Sequence, residues 1–83
     1  MTTNNSHRYA KATNVEDAFA MINKFGQVLR MDVVIDNIAN GRRYSAIHVD
    51  YCTSYPLTIW VSAKTAREFS ENYHVESYQV KSF

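Results

Sequence analysis

Apolar residues from Val15 onward recur first at helical and then at strand spacing. Val15, Ala18, Phe19, Ile22 and Phe25 share one stripe, which predicts a helix over 15–25. Asn14 stands where a cap is needed, Glu16 and Asp17 sit in the first turn where the backbone dipole favours negative charge, and Gly26 follows the last turn. From Val28 the period shortens to two. Leu29, Met31, Val33 and Ile35 lie on one face, and Arg30, Asp32 and Asp36 on the other. After Asn40-Gly41, Ser45, Ile47, Val49 and Tyr51 alternate with Tyr44, Ala46, His48 and Asp50, so the two runs read as a β-hairpin.

The register follows from matching the faces. A two-residue Asn40-Gly41 loop sets Val33 beside His48, apolar against polar. A three-residue loop, Ala39-Asn40-Gly41 with Gly41 left-handed, sets Val33 opposite Ile47 and Met31 opposite Val49. It also sets Arg30 against Asp50 and Asp32 against His48, both favourable cross-strand pairs. A one-residue slip turns every side chain to the wrong face, so the three-residue loop is expected.

Residues 52–56 connect to a third strand at 57–61. Ser62 caps a second helix that runs to about Tyr73, with Ala63, Ala66, Phe69 and Tyr73 as its stripe. The tail from Val75 to Phe83 alternates loosely and reads as a fourth strand. At the other end, the first six residues hold no large apolar side chain and are expected to be mobile. Positions 8–13 alternate weakly, compatible with an edge strand or an irregular lead-in. The expected organisation is a flexible segment over 1–13 and a single α+β domain over 14–83, ordered α-β-β-β-α-β. Its antiparallel sheet of three to four strands carries both helices on one face.

Composition narrows the function. Nine basic against eight acidic residues leave a net charge of +1, which excludes a strongly polyanion-binding chain. The single cysteine, Cys52, allows neither an internal disulfide nor a cysteine-based zinc site, and it reads as a small buried hydrophobe. The absence of an export signal and of any long apolar stretch points to the cytoplasm and away from membranes.

Chemistry is sparse. His7, His48 and His74 fall on three different elements without metal-ligand spacing, so no metal and no cofactor is expected. His48 opposite Asp32 has the makings of an oriented base, but a solvent-side sheet pair is the simpler reading. Cys52 follows His48 along one strand at ~13 Å, too far for direct activation. Two glycines build no phosphate-cradling loop, and a core this small leaves little room for a pocket of ~300 Å³. An enzyme is not expected.

The aromatic residues say more. Phe19, Phe25 and Phe69 are assigned to the core by spacing, whereas Tyr44, Tyr55 and Trp60 fall on polar strand positions or in a connection. A second small cluster or a covering helix would account for them structurally. Functionally, with Arg42 and Arg43 at the hairpin end, they make a partner-binding surface of the residue types enriched in interface hot spots. The expected function is therefore a non-enzymatic module that binds a larger protein stoichiometrically, as inhibitor or regulator. It resembles in style the small inhibitors carried by phages and plasmids, and homodimerisation through an exposed sheet edge at 57–61 or at the tail fits such a chain.

The alternative rests on topology. Over 14–73 the α-β-β-β-α order, with Lys64 and Arg67 early in the second helix, is similar to a double-stranded RNA-binding domain. That resemblance implies phosphate contacts by Lys64 and Arg67. The family's lysine cluster is here reduced to these two, followed by Glu68 and Glu71, and its Gly-Pro-x-His loop is missing from 52–56. Such charge supports only weak nucleic-acid binding.

Overall fold

The structure, a computed structural model, describes residues 7–72 and 77–80, the last four by their backbone alone. The expectations placed on the first six residues, on Tyr73 and on His74 lie outside the described residues. The elements are β1 (Arg8–Lys11), α1 (Val15–Ile22), β2 (Val28–Ala39), β3 (Arg42–Tyr51), β4 (Leu57–Val61), α2 (Ala63–Asn72) and β5 (Ser77–Val80). They form one five-stranded sheet in the order β1-β4-β3-β2-β5, with both helices on one side of it.

The α+β architecture and the central α-β-β-β-α-β order are as expected. The sheet is mixed instead of antiparallel, and it has a strand more than foreseen. β1 pairs parallel with β4 and β5 parallel with β2, while the three central strands are antiparallel. The flexible segment expected over 1–13 thus contains an edge strand. β1 is held there by the backbone bonds Arg8 N to Pro56 O (2.9 Å) and Ala12 N to Trp60 O (3.1 Å), and Ala12 is buried. β4, one of the two edges suggested by the sequence, is interior, and β1 and β5 are the edges.

The core lies between helices and sheet. Ala18 and Ile22 of α1 and Ala66 and Phe69 of α2 pack on Val33, Ile35, Ile47, Val49, Leu57 and Ile59. The caps are those read from sequence: Asn14 Oδ1 accepts from Asp17 N at 2.8 Å, and Ser62 Oγ accepts from Thr65 N at 3.1 Å. α1 ends at Ile22, three residues short of Phe25, where Asn23 closes the last turn on Phe19 O. Phe19 is consequently 39% exposed, and Phe25 only borders the core. Cys52 is exposed, because the connection that carries it leaves the sheet.

The hairpin has the expected pairs, Met31 with Val49, Val33 with Ile47, Arg30 with Asp50 and Asp32 with His48. Its loop does not have the expected length. Ala39 pairs with Arg42 across a two-residue Asn40-Gly41 turn, with φ of 54° and 76°, the doubly left-handed form that suits hairpins. The extra residue sits inside β2, in a bulge between Val34 and Asn37 where Asp36 takes φ 54° and donates its N–H to Ser45 Oγ at 3.0 Å. A second irregularity between Val28 and Arg30 leaves Leu29 64% exposed, off the apolar face assigned to it.

Candidate functional site

Alternation along the strands sends a second set of side chains to the sheet face opposite the helices. No described helix covers that face. Its floor is Val34, Ala46 and Thr58, all buried outside the helix-side core. Above the floor a row of rings crosses three adjacent strands. His7 stacks on Tyr9 of β1 (centroids 4.7 Å apart), Tyr9 lies parallel to Trp60 of β4 (6.5 Å), and Trp60 meets Tyr44 of β3 edge to face (5.6 Å, 76°). Trp60 is 37% exposed and Tyr9 64%, so these rings are partly packed on one another and partly open to solvent.

The bulge at Asp36 shapes this face. By adding one residue it reverses the alternation of β2, so that Asn37 pairs with Tyr44 and Ala39 with Arg42. Asn37 Nδ2 then donates to the Tyr44 hydroxyl at 3.1 Å and fixes the ring. The result is a cleft of about 460 Å³ lined by Ala39, Arg42, Arg43, Tyr44, His48 and Trp60. A pocket was not expected from the size of the core, and this one is not in the core but on the open sheet face.

His48 is held at the cleft by a shared hydroxyl. Thr58 Oγ1 lies 2.9 Å from His48 Nδ1 and 2.7 Å from His7 Nε2. One O–H donates to only one ring, so at least one of the two rings donates an N–H to the Thr58 oxygen. Burial pushes the His48 pKa below its ordinary 6.5; Asp32 and Asp50 pull it up, and His7 adds to the lowering. The Asp32–His48 pair is thus a cross-strand neighbour relation on a half-buried ring already bonded to Thr58.

The structure gathers Arg42, Arg43, Tyr44 and Trp60 at one cleft. Tyr55 is not among them. It lies in the β3–β4 connection, at the sheet end away from the hairpin turn, where Arg8 donates to its carbonyl at 2.7 Å and to Ser54 Oγ at 2.9 Å and covers the Phe25 ring at 4.0 Å. Lys64 and Arg67 belong to the helix layer. Arg67 donates to Asp36 Oδ2 at 3.3 Å, so its charge is already matched. The hairpin end and the start of α2 do adjoin, at a smaller cleft of about 210 Å³ bordered by Asp36, Arg43 and Ser62 among others.

Sequence reasoning missed Tyr9, His7, Thr58 and Ala39. The weak alternation of 8–13 was the only signal for Tyr9, and its parallel pairing with β4 is too remote in sequence to read. Among the described residues no three His, Cys, Asp or Glu side chains converge on a metal position, and no described helix is long and apolar enough to cross a membrane. No protein-family model, no curated protein and no solved structure matches the chain.

Proposed function

We propose that this protein is a non-enzymatic, cytoplasmic binding module that engages a larger protein through the sheet face opposite its two described helices and acts stoichiometrically as an inhibitor or regulator. The observation that carries this reading is the Tyr9–Trp60–Tyr44 row beside a cleft rimmed by Arg42 and Arg43. Tyr, Trp and Arg are the types that anchor interfaces, and a central anchor of this kind is worth ~2 kcal/mol or more. The lone, exposed Cys52 suits a reducing compartment. Recognition of duplex RNA through α2 is the weaker reading, since Arg67 is paired with Asp36.

The test is affinity capture from cells of the native host with the wild type, Trp60→Ala and Lys64→Ala/Arg67→Ala. A protein retained by the wild type and by the double variant but lost with Trp60→Ala supports the reading. Recovery of nucleic acid that depends on the two cations and ignores Trp60 overturns it. Trp60 is over a third exposed, so its loss leaves the fold standing, which circular dichroism checks.

A further inference from the structure

We infer that the cleft receives an acidic segment of the partner, with an apolar side chain against Trp60 and Tyr44 and a carboxylate between Arg42 and Arg43; the inference rests on the protein-binding reading and names the chemistry of the partner. It begins from the distribution of charge. Of the five arginines, Arg8 is held by Tyr55 O, Ser54 and the Phe25 ring, Arg30 by Asp50 at 3.1 Å, and Arg67 by Asp36. Arg42 and Arg43 are exposed and make no ion pair with any described residue. No described acidic residue lines their cleft, and the carboxylate bordering the neighbouring one, Asp36, is bonded to Arg67. Arg42 and Arg43 therefore place two cations that have no described ion-pair partner at the mouth of an apolar cleft.

Arginine suits a planar anion. Its guanidinium fork matches a carboxylate in two parallel hydrogen bonds and remains charged at any relevant pH. The cleft supplies the rest of the complementarity, because Ala39, Tyr44 and Trp60 wall a space of about 460 Å³, room for more than one side chain of a bound segment. A single-stranded nucleic acid would need exposed, roughly coplanar ring faces on which successive bases stack. Here Tyr9 and Trp60 are parallel to within 6°, but Tyr44 stands at 76° to Trp60 and His7 already covers one face of Tyr9. The platform is thus limited to the Tyr9–Trp60 pair, while the edge-on Tyr44 makes the cleft beside Trp60 a walled pocket.

Trp60 is the sole tryptophan, so intrinsic fluorescence reports on the cleft itself. The probes are an acetylated, amidated heptapeptide alternating glutamate and leucine, its glutamine counterpart, and hexauridylate, each titrated at physiological salt. The glutamate peptide should bind roughly tenfold or more tighter than the glutamine peptide, the effect of charge-assisted hydrogen bonds. In Arg42→Ala/Arg43→Ala the two peptides should become equivalent, with the far-ultraviolet circular dichroism and melting temperature of the free protein unchanged. Equal binding of both peptides by the wild type, no response to either, or retention of the preference in the double variant overturns the inference. Tighter binding of hexauridylate than of the glutamate peptide overturns it too and assigns the face to single-stranded nucleic acid. An absent anion preference leaves the wider reading to be judged by the Trp60→Ala capture, so the two can fail separately.

Discussion

Tyr51 shows how much a single side chain organises here. Its hydroxyl donates to Ile22 O at 2.6 Å, satisfying a carbonyl at the end of α1 that the helix cannot satisfy itself, and its ring meets Phe25 edge-on at 6.0 Å. Tyr51→Phe keeps the ring and strands the carbonyl, so unfolding free energy should fall by ~1–3 kcal/mol with an unchanged denaturant slope. A loss within experimental error would mean that solvent replaces the phenol. His48 makes a prediction in pH. Its folded pKa lies below 6.5 because burial disfavours the charged ring. The unfolded chain then binds the proton more readily, so this contribution to stability is present above pH 6.5 and is lost as pH falls through the folded pKa. Melting temperatures followed downward from pH 7 should drop less for His48→Gln than for the wild type; parallel curves would refute the shift. At this scale the sequence was legible where chemistry is local, as with the caps Asn14 and Ser62. It misled for Phe19, Leu29 and Cys52, whose exposure is decided by where a helix stops, where a strand bulges and where a connection leaves the sheet.

The hairpin is the element on which sequence and structure differ most instructively. Matching apolar faces identified the pairs of its main body correctly, because only one register buries Val33, Ile47 and Val49 together. The same argument required one residue beyond a two-residue turn and put it in the loop, where turn statistics offered a home. The chain instead keeps the tight Asn40-Gly41 turn and stores the residue at Asp36, where its left-handed backbone is supported by the Ser45 hydroxyl and its carboxylate by Arg67. Face matching alone cannot separate these solutions, since they differ only in the pairing of 37–39. The consequence is functional, because the bulge brings Ala39 and Asn37 to the cleft side. At Asp36 the decisive property is backbone freedom. Asp36→Val should cost about 1–2 kcal/mol, since a β-branched residue is ill suited to positive φ. Asp36→Gly relieves the strain and loses only an exposed ion pair worth about 0–1 kcal/mol. Chemical denaturation ranking valine well below glycine would support the bulge, and equal losses would count against it.

The whole molecule was legible as a helical layer on a sheet, but its two parallel edges were not. β1 joins β4 through pairs such as Arg8 with Leu57, contacts too remote in sequence for local periodicity to signal. That missing strand hid Tyr9, and with it the continuity of the aromatic row. Charge at this scale gives the sharpest contrast between protein and polyanion partners. The net charge is +1, and Arg30 and Arg67 are neutralised within the fold. Among the described residues, the cations without an ion pair at the open face are Arg42, Arg43, which also borders the cleft beside α2, and, by its pairing with Trp60, Lys11. Each phosphate neutralised on a duplex contributes about −0.9 to the slope of log affinity against log salt, so three contacts allow a slope no steeper than about −3. Duplex binding should therefore stay in the nonspecific range of roughly 10⁻⁴ to 10⁻⁶ M at physiological salt. A protein held by desolvated aromatic anchors should instead dissociate only slightly faster as salt is raised, because screening reaches rim charges far more than buried rings. Titrating the chain with a random-sequence RNA duplex and with the captured partner over a salt series separates the two. A duplex slope well beyond −3, or a partner affinity that collapses as steeply as the duplex one, would place the binding energy in phosphate-like charge and remove Trp60 from its centre.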